Sequence, residues 1–220
     1  KRHGALGVDA YREMGFLPDA MINYLLRLGW GYGDTEFFTR ERAIELFSLD
    51  NIGKSPARFN LEKLRGVNAH YLQQLDGSAL YDLIAPHIAP TSTFAKYRLI
   101  TLLPLFQERA KTYIEIVSQL GFLLHDGAPE MTEEAVALLS VDAKKYLLKL
   151  ATNLSGASWD KESLNRRIQK FLEDNRLKMR DVGLPLRAAI TGIKRSPSIV
   201  DIMAVLGEAE TLARLRVACK

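Results

Sequence analysis

The residues with the most chemistry to offer lie in the stretch Leu184–Met203, LPLRAAITGIKRSPSIVDIM. Arg187 sits early in a short predicted helix. Gly192 is placed to end that helix, because a helix terminus favours the left-handed backbone that glycine adopts without strain. Lys194 and Arg195 follow as adjacent cations. Ser196-Pro197 then reads as the start of another helix, with serine as N-cap and proline at the first helical position. A helix end, a basic loop and a helix start bring donors, positive charge and exposed backbone N–H groups into one corner. That combination suits a phosphate chain with unstacked bases. The same letters also fit an ordinary surface loop between two helices.

Little else in the chain is arranged for catalysis. It has no glycine-rich strand–helix turn and no P-loop. His3, His70, His87 and His125 stand apart, without metal-ligand spacing to one another or to Cys219. His87-Ile88 is followed by Ala89-Pro90 and has no strand before it, so it reads as a helix end. Glu133-Glu134 fits the start of a helix, where the macrodipole favours carboxylates. Cys219, the single cysteine, rules out an internal disulfide framework, fits a reducing compartment and reads as an incidental thiol.

Composition sets wider bounds. The chain has 220 residues, 47% of them hydrophobic and 25% charged, as in an ordinary soluble globular protein. Its net charge of +4 permits a polyanionic partner without requiring one; if RNA is bound, the affinity must come from a local patch rather than from the whole surface. No apolar run approaches the ~18 residues that span a bilayer. The polar start, Lys1-Arg2-His3, does not resemble a secretory signal.

The elements that must position the basic corner are helices. Pro18 opens a segment in which Ala20, Ile22, Tyr24, Leu25 and Leu28 form a broad apolar face. Thr39 and Asn60 are placed as N-caps of two further helices, and the second carries Leu61, Leu64, Asn68, Tyr71, Leu72 and Leu75 at spacings of three and four. Breaks at Asp76-Gly77-Ser78 and at His125–Pro129 divide the chain. Between them the pattern predicts helices over residues 78–88, over 93–107 with Pro104 kinking or ending the run, and over 111–122. Beyond them it predicts helices capped by Thr132, over 141–154, 160–175, 178–182 and 208–219. The chain is expected to be all-α.

PLRAAITG followed by SPSIVDIMAVLG resembles the C-terminal signature of bacterial glutamyl-tRNA synthetases. KRHGALGVDAYREMGFLPDAMINYLLRLGW resembles the segment just after the class I lysine loop, usually K-[LIM]-S-K-R, of which Lys1 and Arg2 remain. FNLEKLRGVNAHYL at Phe59–Leu72 and ERAKTYIEIVSQLGFLL at Glu108–Leu124 continue the likeness over nearly the whole chain.

The resemblance implies the tRNA-binding half of the enzyme, cut off from its N-terminal catalytic domain and inactive alone. It implies a helical stem-contact segment (1–75), followed by a two-part α-helical cage that binds the anticodon (76–126 and 127–220). The partner would be glutamate tRNA, held at its anticodon stem-loop and D-stem side. The protein would be a cytoplasmic monomer without membrane contact. The fragment would hold no cofactor or metal, while the full-length enzyme would use ATP and Mg²⁺ to ligate glutamate.

Residue by residue, Lys1 matches the lysine that neutralises triphosphate charge, a catalytic role open only to the full enzyme. Arg109 matches the arginine that reads the third anticodon base. Cytosine presents two acceptors there to the guanidinium fork, whereas guanine presents donors against donors. A surface Arg109 paired with Glu108 or Glu115 is the plainer alternative. Arg187, Ser196, Pro197, Ile199 and Val200 match the lining of the first two anticodon bases, with Ile199 and Val200 as stacking surface. Lys194 and Arg195 are phosphate-contact candidates. Gly66 departs from the tryptophan common in the family. Two rivals remain: a non-catalytic all-α scaffold for partner helices, and a relaxed synthetase that charges both glutamate and glutamine tRNAs.

Overall fold

The computed structural model describes residues 7–54, 56–89 and 93–220. Among these residues there is no β-strand, only an isolated antiparallel bridge between Trp30 and Ile52. The helices are α1 (Val8–Glu13), α2 (Pro18–Gly29), α3 (Arg40–Leu46), α4 (Leu61–Gln73), α5 (Gly77–Ile84) and α6 (Thr93–Gln107). They continue as α7 (Tyr113–Val117), α8 (Gly121–Leu124), α9 (Glu133–Val136), α10 (Val141–Leu154), α11 (Lys161–Asp174), α12 (Met179–Thr191) and α13 (Ile199–Ala218). The all-α expectation holds. The chain forms two compact units, one of residues up to Ile84 with Gln107–Ser118, the other of Ala85–Phe106 with Gln119–Lys220. Residues 76–126, set apart by their sequence breaks, contribute to both.

In the first unit α2 packs on α4. Proline at its first position starts α2 at no hydrogen-bond cost, and Ala20 and Tyr24 turn inward. Asn60 caps α4 by accepting the Lys63 N–H at 3.1 Å, and Leu64, Asn68 and Leu72 line one buried face at a spacing of four. Asn68 is fully buried and fully used. Its Oδ1 accepts the Leu17 N–H at 2.7 Å, and its Nδ2 donates to the Lys111 carbonyl at 2.6 Å. Gly15, at φ 84°, lets residues 112–114 approach its backbone; a Cβ there would lie 2.8 Å from the Ile114 nitrogen.

In the second unit α10, α11, α12 and α13 pack around one core. Leu147, Leu150 and Leu154 of α10 meet Leu164, Ile168 and Phe171 of α11 among its buried residues. Some elements differ from the sequence expectation. Residues 111–122 form two short helices, α7 and α8, because Thr112 starts a new cap and Gly121 begins another turn. Pro104 does not end α6, and its ring is exposed. Pro185 likewise lies inside a continuous α12, where the carbonyl left free belongs to exposed Asp181.

Candidate nucleic-acid interface

The basic corner is held by the joint between α12 and α13. Gly192 closes α12 at φ 71°, the left-handed conformation its sequence position predicts. Its carbonyl accepts the Thr132 N–H at 2.9 Å, and a Cβ on it would stand 2.1 Å from the Glu130 carbonyl oxygen. Only glycine satisfies both the angle and the space. Thr191 adds a local tie, accepting the Ile193 N–H at 3.3 Å.

Arg187 projects from α12 into the loop, where its Nη1 is bound. Its Nη1 donates to the Ser196 carbonyl at 2.6 Å, to the Ser196 hydroxyl and to the Pro197 carbonyl. Charge-assisted bonds to several acceptors on one loop make a clamp. The Ser196 side chain is buried, and its hydroxyl donates back to Pro197 at 3.2 Å. The N-cap of α13 is therefore Ser198, not Ser196; its hydroxyl accepts the Asp201 N–H at 3.4 Å. Proline precedes the cap instead of following it.

Ile199 is 9% exposed and Val200 8%, so both belong to the core. The stacking surface expected of them is small here, because the first turn of α13 faces inward among the packed helices. Lys194 and Arg195 stay exposed. Lys194 lies 3.7 Å from Glu134, and Arg195 makes no hydrogen bond or ion pair among the described residues. The arrangement thus brings Arg187, Ser196 and Pro197 into direct contact and leaves the two cations facing solvent beside them.

Arg109 belongs to the first unit, in the link between α6 and α7. Its side chain is exposed and has no partner among the described residues. The pairing with Glu115 does not form, because that carboxylate already takes Arg65 at 2.6 Å and the Lys111 N–H at 2.8 Å. Burial alone would raise the Glu115 pKa, but these bonds outweigh it and hold the group below the usual carboxylate range. Lys1 lies outside the described residues.

Sequence reasoning missed a buried arginine that secures the joint. Arg214 is fully buried, donates to the Ile190 carbonyl in the last turn of α12 at 2.9 Å and pairs with Glu210 at 2.7 Å. Glu210 also accepts the Gly127 N–H at 2.8 Å. Burial pushes the guanidinium pKa down, with Glu210 opposing that shift. The i,i+4 spacing of Glu210 and Arg214 was the available signal.

A capped helical joint, an arginine clamped on its turn and two cations left outside define a class of protein that comparison names. Residues 79–219 match the family model described as "Anticodon binding domain", and the chain belongs to that family. Residues 1–66 match "tRNA synthetases class I (E and Q), catalytic domain". Among curated proteins, the chain is 41% identical to "Glutamate--tRNA ligase 2" of Parvibaculum lavamentivorans, over 98% of this chain and 45% of that protein. It is 43% identical to "Glutamate--tRNA ligase 2" of Zymomonas mobilis, over 98% of this chain and 46% of the relative. A crystal structure of a glutamate tRNA ligase from Elizabethkingia meningosepticum superposes with a TM-score of 0.81 at 29% identity, covering 95% of this chain and 42% of that one. The chain spans about half the length of the relatives it matches. No helix among the described residues is long and apolar enough to cross a membrane.

Proposed function

We propose that this chain is the tRNA-binding, anticodon-reading part of a glutamate–tRNA ligase, whose full-length form ligates glutamate to its tRNA with ATP and Mg²⁺. In this reading Arg109 reads the third anticodon base. The exposed, unpartnered guanidinium of Arg109 carries the proposal, because a side chain bound to a neighbouring carboxylate has no donors to offer a base. Lys194 and Arg195 contact phosphate. Arg187, Ser196 and Pro197 fix the shape of the loop that meets the first two bases, and they do so through bonds to one another. Unit one holds the D-stem side, and the protein works as a cytoplasmic monomer.

Filter binding of the 220-residue chain to the glutamate anticodon stem-loop, across a salt series, tests this. The expected result is binding that weakens steeply with salt, and a log–log slope shallower by ~0.7 in Arg195→Gln. Glutamine and unrelated stem-loops should bind more weakly. Equal affinity for the glutamate and glutamine loops would favour the relaxed enzyme, and no RNA binding would favour a protein scaffold.

A further inference from the structure

The first unit contains a cleft of about 540 Å³ between α2, α4 and the segment around Phe37. That size falls within the ~300–1,000 Å³ of ligand pockets. Its apolar lining is Tyr24, Leu28, Phe37 and Val67, and its polar lining is dominated by Arg27, Arg58 and Lys63 against the single acid Glu36. Arg58 and Lys63 are exposed, and among the described residues neither side chain has a hydrogen bond or ion pair. Two unneutralised cations at the edge of an aromatic and aliphatic floor match a ligand with one anionic end and one flat apolar end.

The wall of the cleft is rigidly set. Buried Asn23 donates to the Glu36 carbonyl at 3.0 Å and accepts the Phe38 N–H at 3.0 Å, while Tyr71 donates to the Phe38 carbonyl at 2.6 Å. Phe37 is fixed between those two anchors, and its ring stacks on His70 with centroids 3.6 Å apart.

Gly66 supplies an independent observation. It sits inside α4, where glycine destabilises a helix relative to alanine, yet its φ is not left-handed. Nothing lies within 4 Å of where its Cβ would be, so no close packing demands glycine either. It lines the cleft. The missing side chain keeps the floor open and lets a ligand approach the helix backbone.

We propose that this cleft binds one phosphorylated nucleoside, with the base on the apolar floor beside Gly66 and the phosphate at Arg58 and Lys63. The nucleotide comes either from an unstacked position of a bound RNA or from free solution. The RNA source rests on the function proposed above; the free source does not.

Calorimetry of the whole chain with adenosine 5′-monophosphate, adenosine and inorganic phosphate tests the site, and filter binding with glutamate tRNA tests the source. The expected result is one monophosphate bound per chain, with adenosine and phosphate each weaker by about tenfold or more. Gly66→Trp should abolish that binding, Lys63→Glu should weaken it about tenfold, and Gly66→Ala should raise the melting temperature while retaining it. Anticodon stem-loop affinity should stay unchanged in all three, which separates failure of the cleft from failure of the anticodon reading. If the monophosphate does not bind but both Gly66→Trp and Lys63→Glu lose about tenfold in affinity for whole tRNA, the source is RNA and the site stands. Unchanged tRNA affinity in the exposed Lys63→Glu variant, together with no monophosphate binding by the parent chain, overturns the proposal.

Discussion

Arg109 and Arg187 carry the same guanidinium into opposite circumstances. Arg187 is half-buried and bonded to its own loop, touching the Ser196 and Pro197 carbonyls and the Ser196 hydroxyl. Arg109 stands in solvent and pairs with neither Glu108 nor Glu115 among the described residues, and Glu115 is taken by Arg65. An arginine bound by its own chain sets geometry, because removing it strands acceptors that have lost their donor. An arginine left free can spend its fork on a base. Both residues are assigned to one task by resemblance, but the structure gives them different physical roles, one constructing a surface and one available to read.

The largest effect that would sharpen this contrast lies at Gly192. Gly192→Val puts a β-branched residue at φ 71° and drives its Cβ into the Glu130 carbonyl, so the second unit should lose about 3 kcal/mol or more. Thermal melts should show that loss. Arg187→Gln comes next. It should cost about 2 kcal/mol through the acceptors left behind. It should also weaken binding of all anticodon loops alike, since it disturbs shape without touching a base. A variant as stable as the parent would erase the difference between the two arginines.

A smaller effect follows from pH. Burial alone would raise the Asp201 pKa, but the Lys161 ammonium at 2.8 Å and the Ser198 hydroxyl outweigh it, so the carboxyl lies below its usual range in the folded chain. The stabilisation is therefore fully present above the unfolded pKa of about 4 and is lost as pH falls through the lower folded value. Melting temperatures measured from pH 5 down to pH 3 should fall for the parent chain and fall less for Asp201→Asn. Identical slopes would remove Asp201 from the joint that holds the α13 cap.

The caps made much of the fold legible. Thr39, Asn60 and Thr132 all accept the N–H three residues on, as their types and spacing predict. Gly192 was equally readable, because one physical demand, a left-handed terminus, singles out one residue. Pro104 did not end its helix, since proline's cost inside a helix depends on its surroundings, a matter of burial that local sequence does not carry. Ser196 and Ser198 are two residues apart and chemically alike. Arg187 decides between them by taking Ser196, and only the folded loop reveals that. For the same reason Ile199 and Val200 looked available for stacking until the packing of α13 turned them inward.

The most direct measurement is the affinity of Arg109→Gln for two stem-loops that differ only in the third anticodon base, cytosine or guanine. The parent chain should prefer cytosine by about tenfold or more. The variant should lose most of that preference, with unchanged melting temperature and little change in affinity for the guanine loop. If Arg109→Gln weakens both loops equally, or leaves the preference intact, the guanidinium does not read the base and its anticodon-reading role is contradicted.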